Sequence, residues 1–128
     1  MKKWYWIGAI IVLVVVGLLF LRGDEDSWIK NGKGEYVKHG NPSSVSDEVV
    51  EQADAVLCAL DLYRTAEENG LDFLSQCLGS CGDYAVDIVH DPREDIDDLA
   101  ENQCDDYRHN RVGHFIELDV DGIIVRIV

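Results

Sequence analysis

The longest apolar run in the chain is the uncharged stretch Ile7 to Leu21 (IGAIIVLVVVGLLFL), extended at the front by Trp4-Tyr5-Trp6. As a helix rising about 1.5 Å per residue, residues 4–21 would span roughly 27 Å, close to the hydrocarbon thickness of a bilayer. A core helix keeps a polar stripe, and this run has none. The pattern predicts a transmembrane helix over 4–21, with its aromatic residues at the headgroup layer.

Beyond it the pattern becomes that of a small folded domain. Trp28-Ile29 and Tyr36-Val37 flank Asn31-Gly32 as a short hairpin, and His39 to Ser44 reads as a loop. Ser46 can cap a helix that opens on Asp47 and Glu48 and stops at Gly70. Its apolar face is Val49, Ala53, Val56, Leu57, Leu60 and Tyr63. A short apolar piece, Leu71 to Leu78, follows. Tyr84 to Val89 alternates as a strand covered on one face, and Pro92 opens a second helix to about Gln103, with Ile96 and Leu99 inward. His114 to Val128 reads as two strands joined at Val120-Asp121-Gly122.

These elements predict an α+β fold, one long helix packed on a mainly antiparallel sheet in the order α-β-α-β-β. Residues 1–3 would be cytoplasmic, 4–21 the anchor, 22–44 a juxtamembrane hairpin and linker, and 45–128 the domain. With 128 residues in all, about a hundred remain for that domain, enough for one core.

Charge gives the anchor a direction. The formal net charge is −14, and all 25 acidic residues follow Leu21, whereas Lys2 and Lys3 precede the run. Positive charge favours the cytoplasmic side, so a single-pass cell-membrane protein with an extracytoplasmic domain is expected; Arg22 alone opposes this. The exit Leu21-Arg22-Gly23-Asp24 lacks the small-x-small pattern of a signal-peptidase site. A surface this acidic repels phosphate backbones and excludes nucleic acid as a partner. No lysine follows Lys38, a composition that plain solvation in high salt also explains.

Four cysteines, Cys58, Cys77, Cys81 and Cys104, suit two disulfides in an extracytoplasmic domain. Cys58 falls opposite the apolar face of its helix, so a segment folding back over that helix would meet it there. Of three formal pairings, Cys58 with Cys77 and Cys81 with Cys104 is favoured. The rival is a zinc- or thiol-dependent factor using Cys77, Cys81, Cys104 and His109, although Cys77-x3-Cys81 is wider than the usual zinc knuckle or redox pair and orphans Cys58.

Glu117-x-Asp119-x-Asp121-Gly122 matches the opening of a calcium loop, but its twelfth position is Val128, so a hairpin turn is expected. The acids from Asp91 to Asp106, among them Glu94, Asp95, Asp97 and Asp98, read as a solvated face. His39, His90, His109 and His114 sit in no nucleophile arrangement, and no phosphate loop occurs. No catalytic residue, resident metal or cofactor is assigned, and a non-enzymatic domain binding a protein or small ligand, or supporting the envelope, is expected.

Asp24 to Ser43 (DEDSWIKNGKGEYVKHGNPS), SQCLGSCGDYAVDIVH and HFIELDVDGIIVRIV resemble segments of uncharacterised small membrane-anchored proteins of archaea and uncultivated bacteria. The resemblance implies the anchor and carries no activity, ligand or catalytic residue.

Overall fold

The computed structural model describes residues 2–21 and 26–128, so Arg22 and the acidic exit at Asp24 and Glu25 lie outside the described residues. Helix α1 (Lys2–Leu21) exposes every side chain described in it, from Lys3 to Leu18. Among the described residues no helix is long and apolar enough to cross a membrane.

The expected hairpin is present as β1 (Ser27–Lys30) and β2 (Tyr36–His39), paired antiparallel. Asn31 Oδ1 accepts from the backbone N–H groups of Lys33 and Glu35, and the residue with positive φ is Gly34 rather than Gly32. A Cβ on Gly34 would run into the Ile127 carbonyl oxygen. That closeness lets the turn dock: the Ile127 N–H donates to Lys33 O at 2.7 Å, and the buried Gln52 side chain joins Tyr36 N–H to Gly34 O.

Helix α2 (Asp47–Glu68) begins after Ser46 and ends before Gly70, whose φ of 73° turns the chain away. Its buried face differs from the expected one. Val49, Gln52, Ala55 and Ala59 are buried, whereas Leu57 is 68% exposed and Ala53 and Leu60 also face solvent. Alanines at the contact bring the helix backbone close to the sheet, so the small residues, not the leucines, define the packed stripe. Cys58 accordingly is half-buried against the core instead of standing opposite it.

The sheet is mainly antiparallel, as expected, but one of its three pairs is parallel. Strands β3 (Gln76–Cys81), β4 (Tyr84–Ile88), β5 (His114–Leu118) and β6 (Ile124–Ile127) lie in that order, with β4 and β5 parallel. Parallel neighbours need a crossover, and residues 89–113 supply it. On one face Val86, Ile88, Ile116, Leu118 and Ile127 pack with Ala55 and Ala59 of α2. The other face meets the crossover, so β4 is covered on both sides and Ala85 is as buried as Val86. Strand β3, rich in Cys, Gly and Ser, stands where only an apolar piece was expected.

The expected second helix from Pro92 is instead two 3₁₀ turns, Asp95–Asp98 and Ala100–Asn102, and a single turn α3 (Asp105–Arg108). Leu99 between them is extended, and the Asp97 and Glu94 side chains bond the backbone themselves, which competes with helix. Ile96 and Leu99 are 38% and 46% exposed, while Asp97, expected in solvent, is 2% exposed. Its Oδ2 accepts from the N–H groups of His90 and Glu94, and its Oδ1 lies 3.0 Å from His90 Nδ1.

Candidate functional site

A single extra residue sets the geometry of the cysteines. Cys77 pairs with Asp87 and Gly79 with Val86, so two steps along β3 match one along β4, and Leu78 is a β-bulge. Residues 77 and 81 would share a face in a regular strand. The bulge puts them on opposite faces. Cys81 therefore turns to α2 and bonds Cys58, while Cys77 turns to the crossover and bonds Cys104. The expected pairing, Cys58 with Cys77 and Cys81 with Cys104, is corrected by this shift of register.

On the crossover face a row of side chains runs in register across all four strands: Cys77, Asp87, Glu117 and Arg126. Arg93 reaches in from the crossover. Glu117, buried at 5% exposure, accepts from Arg93 at 2.9 Å and from Arg126 at 3.1 Å. Burial works against the Arg93 charge, but its bonds to Glu117 and Asp98 more than restore it, and its pKa ends above the ordinary guanidinium value. Arg126 also lies over the Phe115 ring, which meets Tyr107 edge-on.

Asp87 is the exception in this row. Its Oδ1 is buried and has no hydrogen-bond partner among the described residues. Burial, with the neighbouring Glu117 charge second, pushes its pKa up to about 6; the Cys104 N–H and Arg93 pull weakly the other way. A cavity of about 170 Å³ opens beside it, walled by Cys104, Tyr107, Phe115, Glu117 and Arg126. The Cys77 and Cys104 sulfurs and an Asp87 carboxylate oxygen lie within 4.8 Å of one another.

The zinc set considered from the sequence does not converge. Cys81 is bonded to Cys58 on the α2 face, Cys77 and Cys104 are bonded to each other, and His109 Nδ1 lies 2.9 Å from the Asp105 carbonyl oxygen. The calcium-like stretch is a hairpin turn: Asp119 Oδ1 accepts from Asp121 and Ile123 N–H, and Glu117 faces its arginines. Sequence reasoning missed Asp87 and Glu117 as site residues. The available signal was their position among Tyr84, Val86 and Ile88 or Ile116 and Leu118, in strands too apolar to lie at an edge.

A second concavity, about 620 Å³, lies between the hairpin and α2. Trp28, Tyr36, Val45, Val50, Ala53 and Leu57 line it, with Glu35, Asp54 and Lys38 among its polar groups. Among these Val45, Val50 and Leu57 are exposed.

Compared with known proteins, the chain matches no family model, no curated protein and no solved structure.

Proposed function

We propose that this chain is a single-pass membrane protein whose extracytoplasmic domain binds, without catalysis, an apolar segment of a positively charged partner protein. The groove between the hairpin and α2 carries this reading. It leaves Leu57, Val50 and Val45 in solvent beside Trp28 and Tyr36, a concentration of apolar surface that a monomer otherwise hides. Carboxylates at its edge and the net charge of −14 select for a cationic partner and give the association a salt dependence.

The anchor has support of its own. Helix α1 runs to Leu21, and its uncharged part from Trp4 onward would span about 27 Å. Two disulfides suit an oxidising compartment, and Lys2 and Lys3 before the run put that compartment on the far side.

The groove is tested with the full chain in nanodiscs, titrated with a Lys/Leu amphipathic peptide and with its Glu/Leu counterpart while the backbone amides are followed by NMR. Shifts centred on Trp28, Val50 and Leu57, confined to the cationic peptide and weakened at least about tenfold by Leu57→Glu, are expected. No response, or an equal response to the anionic peptide, would overturn the groove. Protease added to intact cells should remove the domain; protection would overturn the topology.

A further inference from the structure

We propose that Cys77–Cys104 is a thiol–disulfide exchange site, opened by an incoming thiol at Cys77, with Asp87 as the proton donor to the departing Cys104 sulfur. This goes beyond the binding reading and does not depend on it.

Three observations converge. Cys77 is exposed while Cys104 is 1% exposed, so Cys77 is the half of the bond that solvent meets first. The disulfide also stands between two concavities. One, about 510 Å³, is lined by both cysteines with Ser80, Glu101 and Asp105; the other, lined by Cys104, holds Asp87. Finally, Asp87 has a buried oxygen without a partner among the described residues, and its carboxylate lies within 4.8 Å of both sulfurs.

The reaction balances with one named co-reactant, a thiol of low molecular weight or on a protein. Its thiolate attacks Cys77 Sγ, a new sulfur–sulfur bond forms there, and the Cys77–Cys104 bond breaks. The electron pair leaves on Cys104 Sγ. In an apolar, covered position a thiolate is a poor leaving group, because burial disfavours its charge. The Asp87 proton neutralises it, giving a Cys104 thiol and an Asp87 carboxylate. A second thiolate then displaces Cys77 from the mixed disulfide, so the co-reactant is oxidised to its disulfide and the protein is reduced by two electrons. In the reverse direction the Asp87 carboxylate takes the Cys104 proton and the pair closes.

Asp87 is suited to the role because it can hold a proton near neutrality. Glu117 from β5 and Arg93 from the crossover act on its charge, with Asp97, Tyr107 and Arg126 around the same cavity. The other disulfide is a control within the same molecule. Cys81 is 4% exposed and Cys58 half-buried, and neither belongs to this cluster.

The test uses the full chain, opened by dithiothreitol, quenched by alkylation and read by peptide mass spectrometry. Cys77–Cys104 should open at least about tenfold faster than Cys58–Cys81, and the rate constant per thiolate should fall as pH rises through about 6. Below about pH 6, Asp87→Asn should slow this opening about tenfold; it should also remove the pH dependence and leave Cys58–Cys81 unchanged. Equal rates in wild type and variant, or earlier opening of Cys58–Cys81, would overturn the proposal. With glutathione disulfide as the oxidant, the lone Cys77 thiolate of Cys104→Ser should form a mixed disulfide by exchange, releasing reduced glutathione. In wild type, brief exposure to reduced glutathione should trap the adduct at Cys77; an adduct on Cys104 would overturn the direction of attack.

Discussion

Asp87 and Glu117 stand directly opposite one another across the parallel strands β4 and β5, two carboxylates on one covered face of the sheet. Their environments differ. Glu117 is matched by Arg93 and Arg126, whereas Asp87 keeps an oxygen without a partner among the described residues. Like charges this close favour one carboxylate and one carboxylic acid, and the arginines decide which is which.

The Asp87 proton makes stability depend on pH. With its pKa raised from 3.8 to about 6, the folded protein binds a proton that the unfolded chain has released in that window. Its contribution is complete below about pH 4 and is lost as pH rises through about 6, a difference of about 3 kcal/mol. Asp87→Asn should unfold in urea like wild type at pH 4 and be about 2–3 kcal/mol more stable at pH 7.5. Parallel curves at both values would contradict the buried acid.

Glu117 and its arginines should respond unequally to truncation. The Arg93 and Arg126 side chains are 38% and 51% exposed and can hydrate when Glu117→Gln removes their partner, at a cost of about 1–2 kcal/mol. Arg93→Ala with Arg126→Ala leaves a buried charge alone and should cost about 3–5 kcal/mol. Denaturation of the two variants checks the order; a larger loss for Glu117→Gln would reverse it.

Asp97 works in the opposite pH direction. Burial alone would raise its pKa, but the N–H groups of Glu94 and His90, the His90 ring and Ser75 outweigh it, and the pKa is lowered. This stabilisation is present above about pH 4 and is lost as pH falls through the lowered value. Asp97→Ala should cost about 2–4 kcal/mol at pH 7 and much less in acid, as thermal unfolding at the two pH values would show.

Much of the fold was legible because period and turn residues mark its element boundaries, although Ser46 precedes α2 without a side-chain capping bond. The hairpin, α2, β4 and the β5–β6 pair fall where expected. What escaped is where side-chain size or local hydrogen bonding overrides period. Ala55 and Ala59 pack in place of Leu57 and Leu60, and β3 hides its strand character in Cys, Gly and Ser. The acids of the crossover look like a solvated helix face, yet Asp97 turns inward and ties the backbone into turns. Among 25 acidic residues, apolar neighbours in the strands are the one local mark of Asp87 and Glu117, and nothing local distinguishes Asp97. Only the crossover, a consequence of parallel pairing, buries them.

The bulge can be tested by removing it. Deleting Leu78 makes Cys77 and Gly79 adjacent, so that they match the adjacent partners Asp87 and Val86 one to one and Cys77 stays on the crossover face. The deletion should therefore keep both Cys58–Cys81 and Cys77–Cys104 in peptide maps of unreduced protein. Exchanged partners in the deleted chain would refute the account of pairing given above.

Cys58–Cys81 closes one ring and Cys77–Cys104 another, and the two overlap over residues 77–81. A nick at any one peptide bond between Cys58 and Cys104 therefore leaves both pieces covalently joined: by the first ring if the cut precedes Cys77, by the second if it follows Cys81, and by both if it falls between. A protease must cut this region twice before anything can leave.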